Sequence, residues 1–399
     1  MRNLNRAEKA FWLLDRVSSM NFAVAAEGTG RLEIDAIKNA AQVMMHGHPM
    51  SAVRIARDGA ALRLEPAEGL PSVRSCSGPW IKDLEETLVQ PFEDRGPLWR
   101  ITLWQEQDRF ALVITFHHSI ADGRSGVRFL LGLLSQMDTG KPPLPPVSPE
   151  LQDRFASAAF EPKPPQPRAD VLPWFAKRSG PSIPRLTRIS MTESESSGIV
   201  RSAKKNSTTV HGLAGAAQLC ALASLLDSKS ARLALSTPAD ARTRLPGSEM
   251  LELCITLITS QVLAGPGRVL ECAREISTHI KGEMQGDFLR FYETMPDADA
   301  LLAKEDGVRL FGTMMQRGVQ ASVLSNVGII DLPVFSNFKV ESMCFTVHPT
   351  IMQPVFTALL TCSGRMHFLL NHDSARWQDG MFEKFSEAFR ANLGFLTGL

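Results

Sequence analysis

Two adjacent histidines, His117 and His118, end the apolar run FALVITF, and Asp122 and Gly123 follow in the segment HHSIADG. A neutral imidazole accepts a proton near neutral pH, which lysine and arginine do only after a large pKa perturbation. His118, immediately before the turn, is the preferred general base. It would take the proton of an alcohol or amine as that nucleophile attacks an activated acyl carbonyl, and an amine must arrive unprotonated. In a regular strand His117 points to the opposite side, so it orients the turn or packs behind the site. Three duties are open to Asp122: a hydrogen bond to the histidine, an ion pair with a distant arginine, or the N-cap of the next helix. The structural duties are favoured, and Gly123 permits a close turn.

Two histidines and an aspartate can also bind metal, but they do not form the HExxH helix signature and no second ligand cluster is close in sequence. No metal site is expected. On local composition alone, two satisfied structural histidines are the lesser alternative. The cysteines Cys76, Cys220, Cys254, Cys272, Cys344 and Cys362 include no CxxC pair. Free buried thiols in a reducing compartment are the simpler account.

The elements that hold this segment are legible in outline. Ile101 to Trp104 and Phe110 to Phe116 read as strands, the second without polar alternation and therefore covered on both faces. Val127, Leu130, Leu131 and Leu134 then turn helical, so the histidines lie at a strand-to-helix junction on rigid support. Upstream, a short amphipathic helix is expected around Phe11 to Val17. A second follows over Ile34 to Met44, and strands at 52–55 and 61–64 are separated by the turn Asp58-Gly59. His46 and His48 read as part of a rigid surface turn or as an acceptor-channel lining, and Trp99 as a core indole.

From residue 141 prolines dominate, disfavouring helix and central sheet through 185. Trp174 and Phe175 mark an anchored patch within that crossing. Beyond it a helix is expected over 210–226 and strands at 232–236, 253–262, 321–327, 345–347, 355–360 and in MHFLLNH. A last helix is expected from Met381 to Phe395. The pattern predicts two α/β lobes, residues 1–140 and 186–399, joined by a crossover over 141–185.

The 399 residues, 44% apolar, suffice for two cores. With 43 basic and 42 acidic residues the net charge is +1, which argues against nucleic acid as a partner; the one dense cluster, Arg201, Lys204 and Lys205, is short. Neither a secretory signal nor roughly 20 uninterrupted apolar residues is evident. A cytoplasmic protein without a transmembrane segment is expected, peripheral to a membrane if its substrate is lipid.

HHSIADG resembles the HHxxxDG signature of the chloramphenicol-acetyltransferase-like superfamily. That group includes condensation domains, plant acyltransferases, polyketide-associated acyltransferases and wax-ester synthases. HGHPMSAVRI and PFEDRGPLWRITL resemble segments preceding its early strands. TPADARTRLP resembles its Asp-x-Arg segment, here Asp240 and Arg242, and SNVG at 325–328 resembles the Ser-Asn loop of polyketide-associated and wax-ester enzymes. LCITLITSQV stands where condensation relatives carry a polar pattern that is degraded here, which favours ester over amide formation. HFLLNHDSARWQDG resembles their last strand and the loop after it.

The resemblance implies two chloramphenicol-acetyltransferase-like lobes with a tunnel between them and direct acyl transfer from a thioester. The donor would be acyl-CoA or a phosphopantetheine-linked acyl carrier protein, supplied separately, with no permanently bound cofactor. It implies His118 as base and Asp122 as a structural residue paired with an arginine, for which Arg242 is a candidate. Ser325 and Asn326 would contact the acyl carbonyl or its oxyanion, or cap the loop. Asp240 and Arg242 are expected to be architectural. The competing functions are a carrier-protein-binding module without turnover and a thioester hydrolase.

Overall fold

The computed structural model describes residues 2–140, 169–175, 181–244, 251–286 and 298–398. Most of the proline-rich crossing, 141–168 and 176–180, lies outside the described residues.

The N-terminal part begins with β1 (Arg2–Asn3), α1 (Arg6–Asp15), β2 (Asn21–Gly30), α2 (Ile34–Gly47), β3 (Val53–Asp58) and β4 (Ala61–Pro66). It continues through β5 (Val73–Ser75), α3 (Trp80–Thr87), β6 (Trp99–Glu106), β7 (Arg109–His117) and α4 (Gly123–Thr139). The second part contains β8 (Pro184–Ser190), α5 (Glu193–Lys205), α6 (Val210–Ser224), β9 (Ala231–Asp240), β10 (Ile255–Ala264) and α7 (Val269–Gln285). After it come α8 (Ala298–Leu302), α9 (Gly307–Gln316), β11 (Ala321–Ile330), β12 (Phe338–Val347), β13 (Phe356–Cys362), β14 (Arg365–Asp373) and α10 (Met381–Thr397).

Two large sheets carry the architecture. One has the order β12-β2-β7-β6-β5 and the other β10-β9-β11-β13-β14-β8, while β1, β4 and β3 form a small third sheet. In β7 every residue from Phe110 to His117 is buried, as expected of a strand covered on both faces. The helix α6 is buried from Gly212 through Ala223, an all-round apolar helix enclosed by its neighbours.

Residues 338–347 fall within the stretch expected to build the C-terminal lobe, yet they form the edge of the N-terminal sheet. There β12 runs antiparallel to β2, with Val347 opposite Phe22 and Cys344 opposite Ala25. The strands on either side of it in sequence, β11 and β13, are hydrogen-bonded to each other in the other sheet. The cause lies in β2: with β7 on one side, its other edge would expose unpaired backbone unless another strand covered it.

More polar ties join the parts where β8 meets the first sheet. Arg188 pairs with Glu27, which also accepts from Ser342 Oγ at 2.8 Å. The Glu85 carboxylate accepts from the Leu186 backbone at 2.8 Å. The anchored patch of the crossing packs on the second core: the Trp174 and Trp377 rings are 4.5 Å apart, and Phe175 forms a backbone bridge to Trp377. No described helix is long and apolar enough to cross a membrane.

Candidate active site

The turn after β7 is held by three backbone hydrogen bonds. His117 donates to Leu98 and His118 to Met20, each at 2.9 Å, and Ile120 donates back to His117 at 3.1 Å. Asp122 then caps α4: its Oδ1 accepts from the Ser125 backbone at 2.9 Å, and Ser125 Oγ accepts from the Asp122 backbone at 3.1 Å. Such a reciprocal cap satisfies donors that a helix start otherwise leaves open. The segment between the strand and the helix is thereby fixed.

His118 is 6% exposed, with Phe11 and Phe22 each 4.8 Å from its ring centre. Its Nδ1 lies 2.8 Å from the Ala121 carbonyl. A carbonyl can only accept, so Nδ1 carries the proton and Nε2 keeps its lone pair. Burial pushes the imidazole pKa down to about 4, although the Asp122 charge and the Ala121 carbonyl oppose the shift. The ring is therefore neutral at physiological pH.

Asp122 and Arg242 join residues 120 apart in sequence. Asp122 Oδ2 accepts from Arg242 Nη1 at 2.9 Å and from the Cys254 backbone at 2.8 Å. Burial by itself would raise the Asp122 pKa, but Arg242 and the Ser125 and Cys254 amides hold it below the ordinary carboxylate range. Burial likewise works against the charge on Arg242, yet Asp122 and its neighbours hold the guanidinium firmly protonated. Arg242 also reaches Asp240 Oδ1 at 3.1 Å, and Asp240 Oδ2 accepts from Arg124 at 2.8 Å. Two carboxylates and two guanidiniums thus alternate across the junction of the two parts.

His118, Asp122, Gly123, Asp240, Arg242, Ser325 and Asn326 all line one cavity of about 70 Å³. Ser325 and Asn326 lie in β11, where the pairing with β13 shifts between Asn326 and Gly328. This bulge departs from a plain loop: Asn326 Oδ1 accepts from the Gly328 backbone at 2.9 Å, and Gly328 has φ 87°. With that oxygen engaged, Nδ2 remains the Asn326 group able to donate. Gly123 needs no left-handed backbone; a Cβ there would lie 3.3 Å from the Phe345 ring, so its small size serves the packing of the cavity wall.

His117 is absent from this lining. Its Nδ1 accepts from the Ser119 backbone at 3.1 Å, and its Nε2 is 3.6 Å from Asp15 Oδ2. It borders a separate cavity of about 90 Å³ with Trp12, Asp15 and Phe92. His46 is exposed, with Nδ1 on the Gln42 carbonyl at 2.7 Å. His48 stacks edgewise on Phe129, and Trp99 donates to the Ser51 carbonyl at 2.8 Å. None of these three is among the residues lining the cavity at His118.

The sequence reading missed Arg124, Pro238, Ile255, Val327, Phe345, Val347 and Phe356 in that lining. Arg124 directly follows the motif and could have been found there. The apolar members come from strands whose spatial order no local pattern encodes.

Two family models match. Residues 83–251 match the wax ester synthase/diacylglycerol acyltransferase catalytic domain, and residues 180–356 match the phthiocerol/phthiodiolone dimycocerosyl transferase C-terminus. No curated protein sequence matches. Among solved structures, polyketide synthase associated protein 5 from Mycobacterium tuberculosis is 15% identical, with TM-score 0.70, covering 100% of this chain and 98% of its own. The first condensation domain of the CDA synthetase is 14% identical, with TM-score 0.72 and coverages of 99% and 96%. Trichothecene 15-O-acetyltransferase from Fusarium sporotrichioides is also 14% identical, with TM-score 0.69 and coverages of 99% and 94%. Acyltransferase family models thus match in both halves of the chain, and along its length the chain has the two-lobed fold of condensation domains and acyltransferases.

Proposed function

We propose that the protein moves an acyl group from a CoA or carrier-protein thioester directly to an alcohol or amine, with His118 as general base. The observation that carries this reading is the Nδ1 contact of His118 with the Ala121 carbonyl. It leaves a neutral ring with a free Nε2 lone pair at the wall of the cavity.

The acceptor O–H or N–H gives its proton to Nε2 while its oxygen or nitrogen attacks the thioester carbonyl. The imidazolium so formed is favoured by the Ala121 carbonyl at Nδ1 and by the negative charge of Asp122. Ser325 Oγ and Asn326 Nδ2 are the candidate donors to the oxyanion. Collapse of the tetrahedral intermediate breaks the carbon–sulfur bond, and the thiolate leaves with the proton from His118. No covalent acyl-enzyme is required, because holding both reactants in one cleft makes the attack effectively intramolecular.

The test is incubation of acyl-CoA and acyl-carrier donors with a panel of acceptors, using the natural chain and His118→Ala. Thiol release with formation of the acylated acceptor, lost in a folded His118→Ala, is expected. Free acid in the presence of acceptors points instead to hydrolysis, and binding without turnover across the panel points to a recruitment module.

A further inference from the structure

We propose that the acyl pocket favours short acyl groups and that Phe345 is the side chain that ends it. The proposal rests on the acyl-transfer reading above. The cavity at His118 measures about 70 Å³. The reacting centre alone needs the carbonyl carbon and oxygen, the sulfur and the attacking atom. A space of that size leaves little room for a long chain beside the reacting centre.

The wall that would have to yield to a longer chain is apolar. Among the described residues it comprises Ile255, Val327, Phe345, Val347 and Phe356. Phe345 is 2% and Phe356 4% exposed, and their rings meet edge to face with centroids 6.4 Å apart. Phe345 sits in β12 opposite Val24 of β2, so its backbone is held by the pairing of those two strands. On its other side the ring nearly touches Gly123, where even one added carbon would stand at 3.3 Å. The ring is thus held between the start of α4 and Phe356. Closely packed interiors resist even single added methylenes.

The experiment measures binding of S-(2-oxoalkyl)pantetheine thioethers, which cannot be cleaved, with acyl parts from acetyl to octanoyl. Thiol release from the matching thioesters is followed in parallel. Affinity of the natural chain is expected to fall by about tenfold or more along the series, and Phe345→Ala is expected to abolish most of that fall. Phe345→Leu, which keeps the pocket wall partly filled, should give an intermediate profile and covers the case in which the alanine variant does not fold. Equal affinity for all lengths, no binding of any member, or an unchanged length profile in both variants overturns the proposal. Length-dependent binding without thiol release sinks the catalytic reading and leaves the pocket assignment standing.

Discussion

His117 and His118 are neighbours in sequence and opposites in chemistry. His117 accepts a backbone N–H on Nδ1, which puts its proton on Nε2 toward Asp15. His118 donates from Nδ1 to a carbonyl and keeps a free lone pair on Nε2. The first ring serves the turn with its acceptor, whereas the second keeps its acceptor out of the turn's hydrogen bonds. What separates them is the backbone group each Nδ1 meets, Ser119 N–H for one and Ala121 C=O for the other.

Substitutions can sharpen or break this contrast. The largest effect is expected at His118. Acyl transfer by His118→Ala should drop about 10²- to 10⁴-fold, the usual share of a positioned base, with far-ultraviolet circular dichroism unchanged. Asp122→Asn preserves a capping side chain but leaves buried Arg242 short of a carboxylate. It should cost about 3 kcal/mol in denaturant unfolding, near the low end for breaking a buried pair because Asp240 remains in contact.

A smaller loss is expected from His117→Phe. Removal of the acceptor for the buried Ser119 N–H should cost about 1–3 kcal/mol of stability, while acyl transfer stays within tenfold of the natural chain. A loss at His117 as deep as at His118 would break the assignment of roles. The smallest expected effect concerns pH. Because the folded pKa of His118 lies near 4, well below its ordinary 6.5, the base form persists as pH falls. The rate with an alcohol acceptor should stay flat from about pH 8 to about pH 5, and decline only as pH approaches 4. A rate falling with a midpoint near 6.5 would place another titrating group in control.

Local signals carried much of the fold around the motif. The turn at Asp58-Gly59 is present, with Gly59 at φ 60°, and the apolar runs at 101–104 and 110–116 lie within β6 and β7. The reading passed over β2, NFAVAAEGTG, because alanine and glycine have little strand propensity. Its strand state comes from β7 and β12 pairing on either side. It also passed over α7, VLECAREISTHIKGEMQ, although only Val269, Cys272, Ala273 and Ile276 of that helix are buried, a narrow stripe easily lost among its charges. At the site, the residues of HHSIADG were visible because they are contiguous. The placing of Phe345 and Phe356 beside them depends on strand order, which is set by pairing over long sequence separations.

The path of β12 has a consequence for how the protein can be taken apart. Since the chain leaves the second sheet after β11, completes the first sheet, and returns as β13, a cut in the proline-rich crossing does not divide it into two self-sufficient halves. A fragment ending at residue 140 would present β2 with a bare, apolar edge, an invitation to pair with another copy. The remaining fragment would carry β12 with nothing to pair with. The two sheets are therefore expected to be made and lost together, as one cooperative unit, with the strand that seals the first sheet also bringing Phe345 to the wall of the cavity.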